Sequence, residues 1–203
     1  MNPLWLSGAV LATLGALALY ASGAGMEPGS FSRHMGAHLL LSLAAAPLLV
    51  AAWPAPRRPV VGYVPGFVAL NAVTYGLHLP AVYHTLMTPA GLALEAALFL
   101  GAGGLFWLAA ARGGPGAAAL LLAQMAACAL LGAAITFSRG AYPMTAPDDT
   151  SLGGVLMWVV GGFVVMASAF AVLVGLLARP EAGPAPGAAP TALHSNSDSR
   201  GQA

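Results

Sequence analysis

The sequence predicts an all-α fold, a polytopic transmembrane helical bundle of about six spans. Three observations carry that prediction. First, 59% of the 203 residues are hydrophobic and only 6% are charged. A soluble domain carries about a quarter charged residues, and so little charge cannot cover a water-facing surface. Second, apolar runs of about 20 residues recur along the chain, the length at which a helix crosses a hydrocarbon core. Third, the runs are separated by segments rich in turn and breaker residues: "WPAPRRP", "ARGGPG" and "SRGAYPMTAPDDTS". The same composition removes other classes. A net charge of +1 offers nothing to a nucleic acid, the absence of lysine removes any P-loop, and the single Cys128 removes any intramolecular disulfide.

The spans follow in order within a membrane domain over 1–178. Span 1 lies near 4–23; its leading "MNPLW" has no basic residue and its apolar stretch is long, so it reads as a retained helix rather than a signal peptide. Span 2 lies near 34–53 and opens on "SRHMGAHLLL", with His34 and His38 one helical turn apart on one face. Span 3, near 60–79, carries a polar stripe of Asn71, Thr74, Tyr75 and His78 at i, i+3, i+4, i+7, which should face the bundle interior. Span 4, near 90–111, contains Glu95, the sole ionisable residue well inside a span. Span 5, near 116–138, places Gln124, Cys128, Gly132 and Thr136 four apart. Span 6, near 152–178, is longer than crossing requires and is expected to tilt. The glycines of 101–104, 153–154 and 161–162 should allow close helix approach. The tail, 179–203, is rich in Pro, Ala, Gly and Ser, cannot bury a core, and should be disordered with His194 exposed in it.

The arginines set the expected orientation. Arg57 and Arg58 follow span 2, Arg112 follows span 4 and Arg179 follows span 6, whereas the other side receives Arg33 and Arg139. The positive-inside rule then puts both termini in the cytoplasm. Glu27 and the "PDD" loop with Asp148 and Asp149 fall outside. So do four of the five histidines: His34, His38, His78 and, in the short loop between spans 3 and 4, His84.

Imidazole is the commonest protein metal ligand, and an i,i+4 pair holds an ion from one helix face. The competing reading is a set of interfacial histidines bonded to headgroups and water. Met26, Met35, Met87 and Met144 add soft donors near the same side, suited with imidazole to Cu(I), while Cu(II) favours imidazole. Each methionine alone reads equally as a flexible gap-filler. Glu95 sits six residues past Pro89, about 9 Å down the helix. A carboxylate there must face protein or a cavity, as a ligand, a partner orienting a histidine, a proton acceptor, or a protonated group bonded to a neighbouring helix. Cys128, near mid-membrane, reads best as a small buried packing residue.

"HMGAHLLLSLAAAPLLV", "LHLPAVYHTLM", "LEAALFLGAGGLFW", "LGAAITFSRGAYP" and "DDTSLGGVLMWVVGG" occur in that order over about residues 30–170. Together they resemble the CtaG-type cytochrome c oxidase assembly factors, multi-span proteins of the bacterial inner membrane. The resemblance implies help in assembling a haem-copper oxidase through copper, with a cytochrome c oxidase subunit or a periplasmic copper chaperone as partner beside the lipid bilayer. It maps the family's paired histidines onto His34 and His38, its "HLP" histidine onto His78 and its outer-loop acid onto Asp149. Where the family reads His-x-x-Glu-His, this chain has Leu92, Ala93, Leu94, Glu95 and Ala96, so only the glutamate remains.

The expectation is a periplasm-facing copper site of His34, His38 and His78, completed or oriented by Glu95, His84 or Asp149. Copper would pass to a partner by ligand exchange, with no enzymatic turnover. A copper transporter using the span 5 stripe, and a b-type cytochrome with haem between His38 and His78, are the alternatives.

Overall fold

Proline writes most of the helix starts. It occupies the first or second helical position of Pro80–Leu86, Pro89–Ala110, Gly114–Phe137 and Pro147–Leu177, where its missing N–H costs nothing and its fixed φ suits the first turn. The computed structural model describes residues 1–23, 30–54, 61–138, 141–142 and 145–178. Among them run seven helices: α1 Pro3–Gly23, α2 Ser30–Ala52, α3 Tyr63–Leu77, α4 Pro80–Leu86, α5 Pro89–Ala110, α6 Gly114–Phe137 and α7 Pro147–Leu177. Met26, Glu27, Arg57, Arg58, Arg139, Met144, Arg179, His194 and the tail lie outside the described residues.

The chain is an all-α polytopic membrane bundle. Five helices (α1, α2, α5, α6 and α7) are long and apolar enough to cross a bilayer. The expected third span is shorter than its apolar run. α3 has 15 residues, about 22 Å at 1.5 Å per residue, against a hydrocarbon core of about 30 Å. Pro80 is the cause: it holds Leu79 extended at φ −64°, ψ 128°, so the helix stops at His78. α4 then adds seven residues, turning the expected loop around His84 into a short helix. The last helix starts five residues earlier than its apolar run suggests. Pro147 opens it, and Asp148 and Asp149 fall in its first turn rather than in a loop, where the helix dipole favours acids.

Small residues set the closest contacts. α6 and α7 meet at Gly132 and Gly154: a Cβ on Gly132 would lie 2.8 Å from the Gly154 carbonyl oxygen. Gly153 faces Phe31 of α2, and Gly103 of α5 faces Ala46 and Ser42 of α2. The other glycines expected to act this way do not: Gly101, Gly104 and Gly162 face open space, and Gly161 keeps ordinary contact distances. α3 packs on α5, and α2 lies against α1, α5 and α7.

α2 is not a uniform helix. Leu40–Ala45 is a π-helical turn. Pro47 explains it: a proline ring clashes with the carbonyl four residues back and removes an N–H, so the backbone widens just before it. The Ala46 N–H reaches Leu41 instead of Ser42. The released Ser42 carbonyl accepts from the Trp107 indole at 2.7 Å. The turn begins two residues after His38, which lets the histidine-bearing segment and the segment beyond it face different neighbours.

The expected polar stripe of α3 splits. Thr74 and His78 are buried, but Tyr75 is 38% exposed and its hydroxyl donates to the Ala127 carbonyl at 2.8 Å. Asn71 donates to Gln124 Oε1 at 2.7 Å, and Gln124 donates to Cys128 Sγ at 3.4 Å, so the stripes of spans 3 and 5 meet.

Candidate metal centre

The site is built at the end of the bundle where α2, α5, α6 and α7 have residues 30, 89, 137 and 147. Orphan N–H groups in the first turn of α2 are taken by Asp149 of α7: Oδ2 accepts from Phe31 N at 2.8 Å and Oδ1 from Ser32 N at 3.2 Å. An anion at a helix N-terminus also meets the positive end of the dipole. This contact fixes the start of α2, and therefore the height of His34 and His38, against α7.

From there the helix period does the rest. His34 and His38 stack one turn apart, ring centroids 4.3 Å from each other. Glu95 arrives from α5, at 1% exposure. Its Oε1 lies 3.2 Å from His34 Nε2 and 3.0 Å from His38 Nε2. Among the described residues, His34, His38 and Glu95 form a group whose ligand atoms all lie within 4.8 Å of one another.

Apart from these contacts to Glu95 Oε1, the polar atoms at this point lack hydrogen-bond geometry. His34 Nε2, both ring nitrogens of His38, Glu95 Oε2 and the Tyr20 hydroxyl are buried without a hydrogen-bond partner among the described residues. Each such atom costs about 1–3 kcal/mol when left bare. A cation held by one nitrogen of each histidine and by the Glu95 carboxylate removes part of that cost. Metal–nitrogen bonds of about 2.0–2.1 Å give tetrahedral ligand–ligand edges of about 3.3 Å, close to the two separations from Oε1. Two imidazoles and a carboxylate therefore fit a borderline or copper ion, one ligand short of a closed tetrahedral set.

Aromatic rings wall the group off. Tyr20 stands edge-on to both histidines, 5.2 and 5.8 Å away; Phe99 lies 4.1 Å from His38, and Tyr83 lies 5.0 Å from His34. Phe31, Tyr83 and Tyr142 pack on one another above it. Tyr142 lies outside the helices, and burial pushes its phenol up to about 12. It therefore stays a donor at neutral pH, bonding the His78 carbonyl at 2.5 Å. Leu92 and Ala96 pack in the same cluster as Tyr20.

The other expected site residues are placed differently. His78 is buried, its ring centroid 5.0 Å from that of His38. Its Nδ1 meets the Thr74 carbonyl at 2.5 Å, and its Nε2 faces Met35 Sδ at 3.1 Å. His84 is half-buried on α4 with Tyr83 as its ring neighbour, and it does not join the group. Asp149 is held by backbone amides and acts on the site through α2. Sequence reasoning missed Tyr20, Tyr83, Phe99 and Tyr142. An aromatic within a turn of a candidate ligand, as in "AVYH", is the signal available for one of them.

A family model described as cytochrome c oxidase caa3 assembly factor (Caa3_CtaG) matches residues 57–179, more than half of the chain. The match includes His78, Glu95 and Asp149 and begins after His34 and His38. No curated protein and no solved structure matches the chain significantly. With its helical membrane bundle and this match, the chain belongs to the cytochrome c oxidase caa3 assembly factor family.

Proposed function

We propose that the chain serves oxidase assembly by holding copper between His34, His38 and Glu95 and passing it on by ligand exchange. One observation carries this reading: two imidazole nitrogens converge on one carboxylate oxygen, at 3.2 and 3.0 Å, in a buried site. An incomplete ligand set suits transfer, because an incoming ligand from the acceptor enters the open position before the histidines leave. The receiving partner is an oxidase subunit or a periplasmic copper chaperone. No step requires turnover of a substrate, in keeping with an assembly factor. Arg112 lies at the opposite end of the bundle from the site, and the positive-inside rule favours a site on the periplasmic side of a bacterial inner membrane, with both termini cytoplasmic.

The geometry weighs against haem between His38 and His78. Their ring centroids lie 5.0 Å apart, with no room for a macrocycle between them, and Phe99 covers His38. The adjoining cavity is about 30 Å³, room for one water-sized occupant rather than a macrocycle.

The test is the copper content of cytochrome c oxidase purified from cells that carry His34→Ala/His38→Ala in place of the native chain, at matched protein level. Copper-depleted, poorly assembled oxidase is expected. Fully metallated oxidase would overturn the proposal.

A further inference from the structure

The pairing of His78 with Met35 is unlike the other contacts around the site. A carbonyl oxygen only accepts, so the 2.5 Å contact between His78 Nδ1 and the Thr74 carbonyl places the ring proton on Nδ1. In the neutral ring, Nε2 is then a bare lone pair. It faces Met35 Sδ at 3.1 Å, and a thioether sulfur is also only an acceptor. Two acceptors face each other in a fully buried place, with Met35 at 1% and His78 at 4% exposure. Either a proton on Nε2, donated to the sulfur, or a cation seated beside the two atoms satisfies both of them. An N–H bonded to a backbone carbonyl is also the arrangement that orients a metal-ligating histidine and fixes its tautomer.

A cavity of about 30 Å³ opens beside the pair, large enough for one small occupant. His38 of the His34–His38–Glu95 group lines it, and so do Cys128 and Met157. The soft donors of the bundle interior therefore border one space. That donor set differs in kind from the first group: one imidazole and a thioether select a soft, monovalent d10 cation, whereas two imidazoles and a carboxylate also accept a divalent ion.

We infer that His78 Nε2 and Met35 Sδ form a second, soft-cation position, specific for a monovalent ion such as Cu(I), next to the His34–His38–Glu95 group. It rests on the copper reading only for the identity of the cargo. His38 borders both positions, so an ion exchanges between them by swapping ligands, without any change in oxidation state.

The experiment titrates the full-length chain in mild detergent with Ag(I), a monovalent probe that shares this softness. Free methionine is present to suppress single-thioether binding, and Cys128→Ser removes the competing thiol. Met35→Leu is close in volume and should fold, which thermal unfolding in the same detergent checks. In the His34→Ala/His38→Ala background, one Ag(I) equivalent should remain, and adding Met35→Leu should abolish it. X-ray absorption of the silver-loaded protein should show a sulfur neighbour that Met35→Leu removes. Ag(I) binding that is unchanged by Met35→Leu, or that lacks a sulfur neighbour, overturns the second position, as does absence of any Ag(I) binding in the His34→Ala/His38→Ala chain. The first group is read separately, by Cu(II) binding in His34→Ala/His38→Ala, so each position fails or stands on its own result.

Discussion

Replacing Glu95 with glutamine removes one charge and almost no volume. Its Oε1 lies 3.0 Å from His38 Nε2. A unit positive charge at such a separation is attracted to a carboxylate by about 5 kcal/mol at an effective dielectric near 20. The amide oxygen of glutamine keeps part of that attraction as a dipole, so a loss of about 3 kcal/mol is expected, or about 100-fold in Kd for copper. The assay is competition for copper against a chelator of known affinity, on protein purified in mild detergent, followed by oxidase activity in cells at matched protein level. Glu95→Gln should insert and fold, bind copper about 100-fold more weakly, and support little oxidase. Glu95→Leu separates this from packing, since it also deprives two buried histidine nitrogens of the carboxylate beside them. A structural, protonated glutamate predicts that Gln is tolerated and Leu alone is harmful. Wild-type copper affinity and full oxidase activity with Gln would refute the required carboxylate charge.

The remaining predictions concern the frame of the site. Asp149→Ala removes the carboxylate that accepts from the Phe31 and Ser32 amides of α2 and should cost about 2 kcal/mol; an unchanged thermal midpoint in detergent would contradict the capping role, and Asp149→Asn should lose less. Gly154→Val should disrupt the α6–α7 contact and the yield of folded protein, whereas Gly162→Val, which meets open space on the same helix, should be tolerated; equal yields would show that the contact is not needed. For orientation, Ala146→Cys in a Cys128→Ser background should react with an impermeant thiol reagent on intact spheroplasts, and labelling only after lysis would reverse the topology.

Much of the bundle was legible because a hydrocarbon solvent leaves few options: apolar runs must be helices, and proline and glycine mark their ends. The His34–His38 face and the buried Glu95 followed from helix period and span depth. What the sequence hid depends on partners far away in the chain. Nothing local to Asp149 says that its carboxylate caps a helix 118 residues earlier. Pro47 was visible, but the π turn it forces, and the Trp107 indole that takes the released carbonyl, need the neighbouring helix to be in place. Tyr75 matched the stripe by spacing alone, and a long side chain can turn to a neighbour's carbonyl at the bundle surface. His78 and Met35 are 43 residues apart; their opposition exists only once α2 and α3 are packed.

The most direct measurement is the copper stoichiometry of protein purified in mild detergent, wild type beside His34→Ala/His38→Ala. With His34, His38 and Glu95 as a copper site, the wild type should retain or take up Cu(II) at this centre. The double variant, still inserted and folded, should lose that binding. Equal stoichiometry and affinity in the two proteins would contradict it.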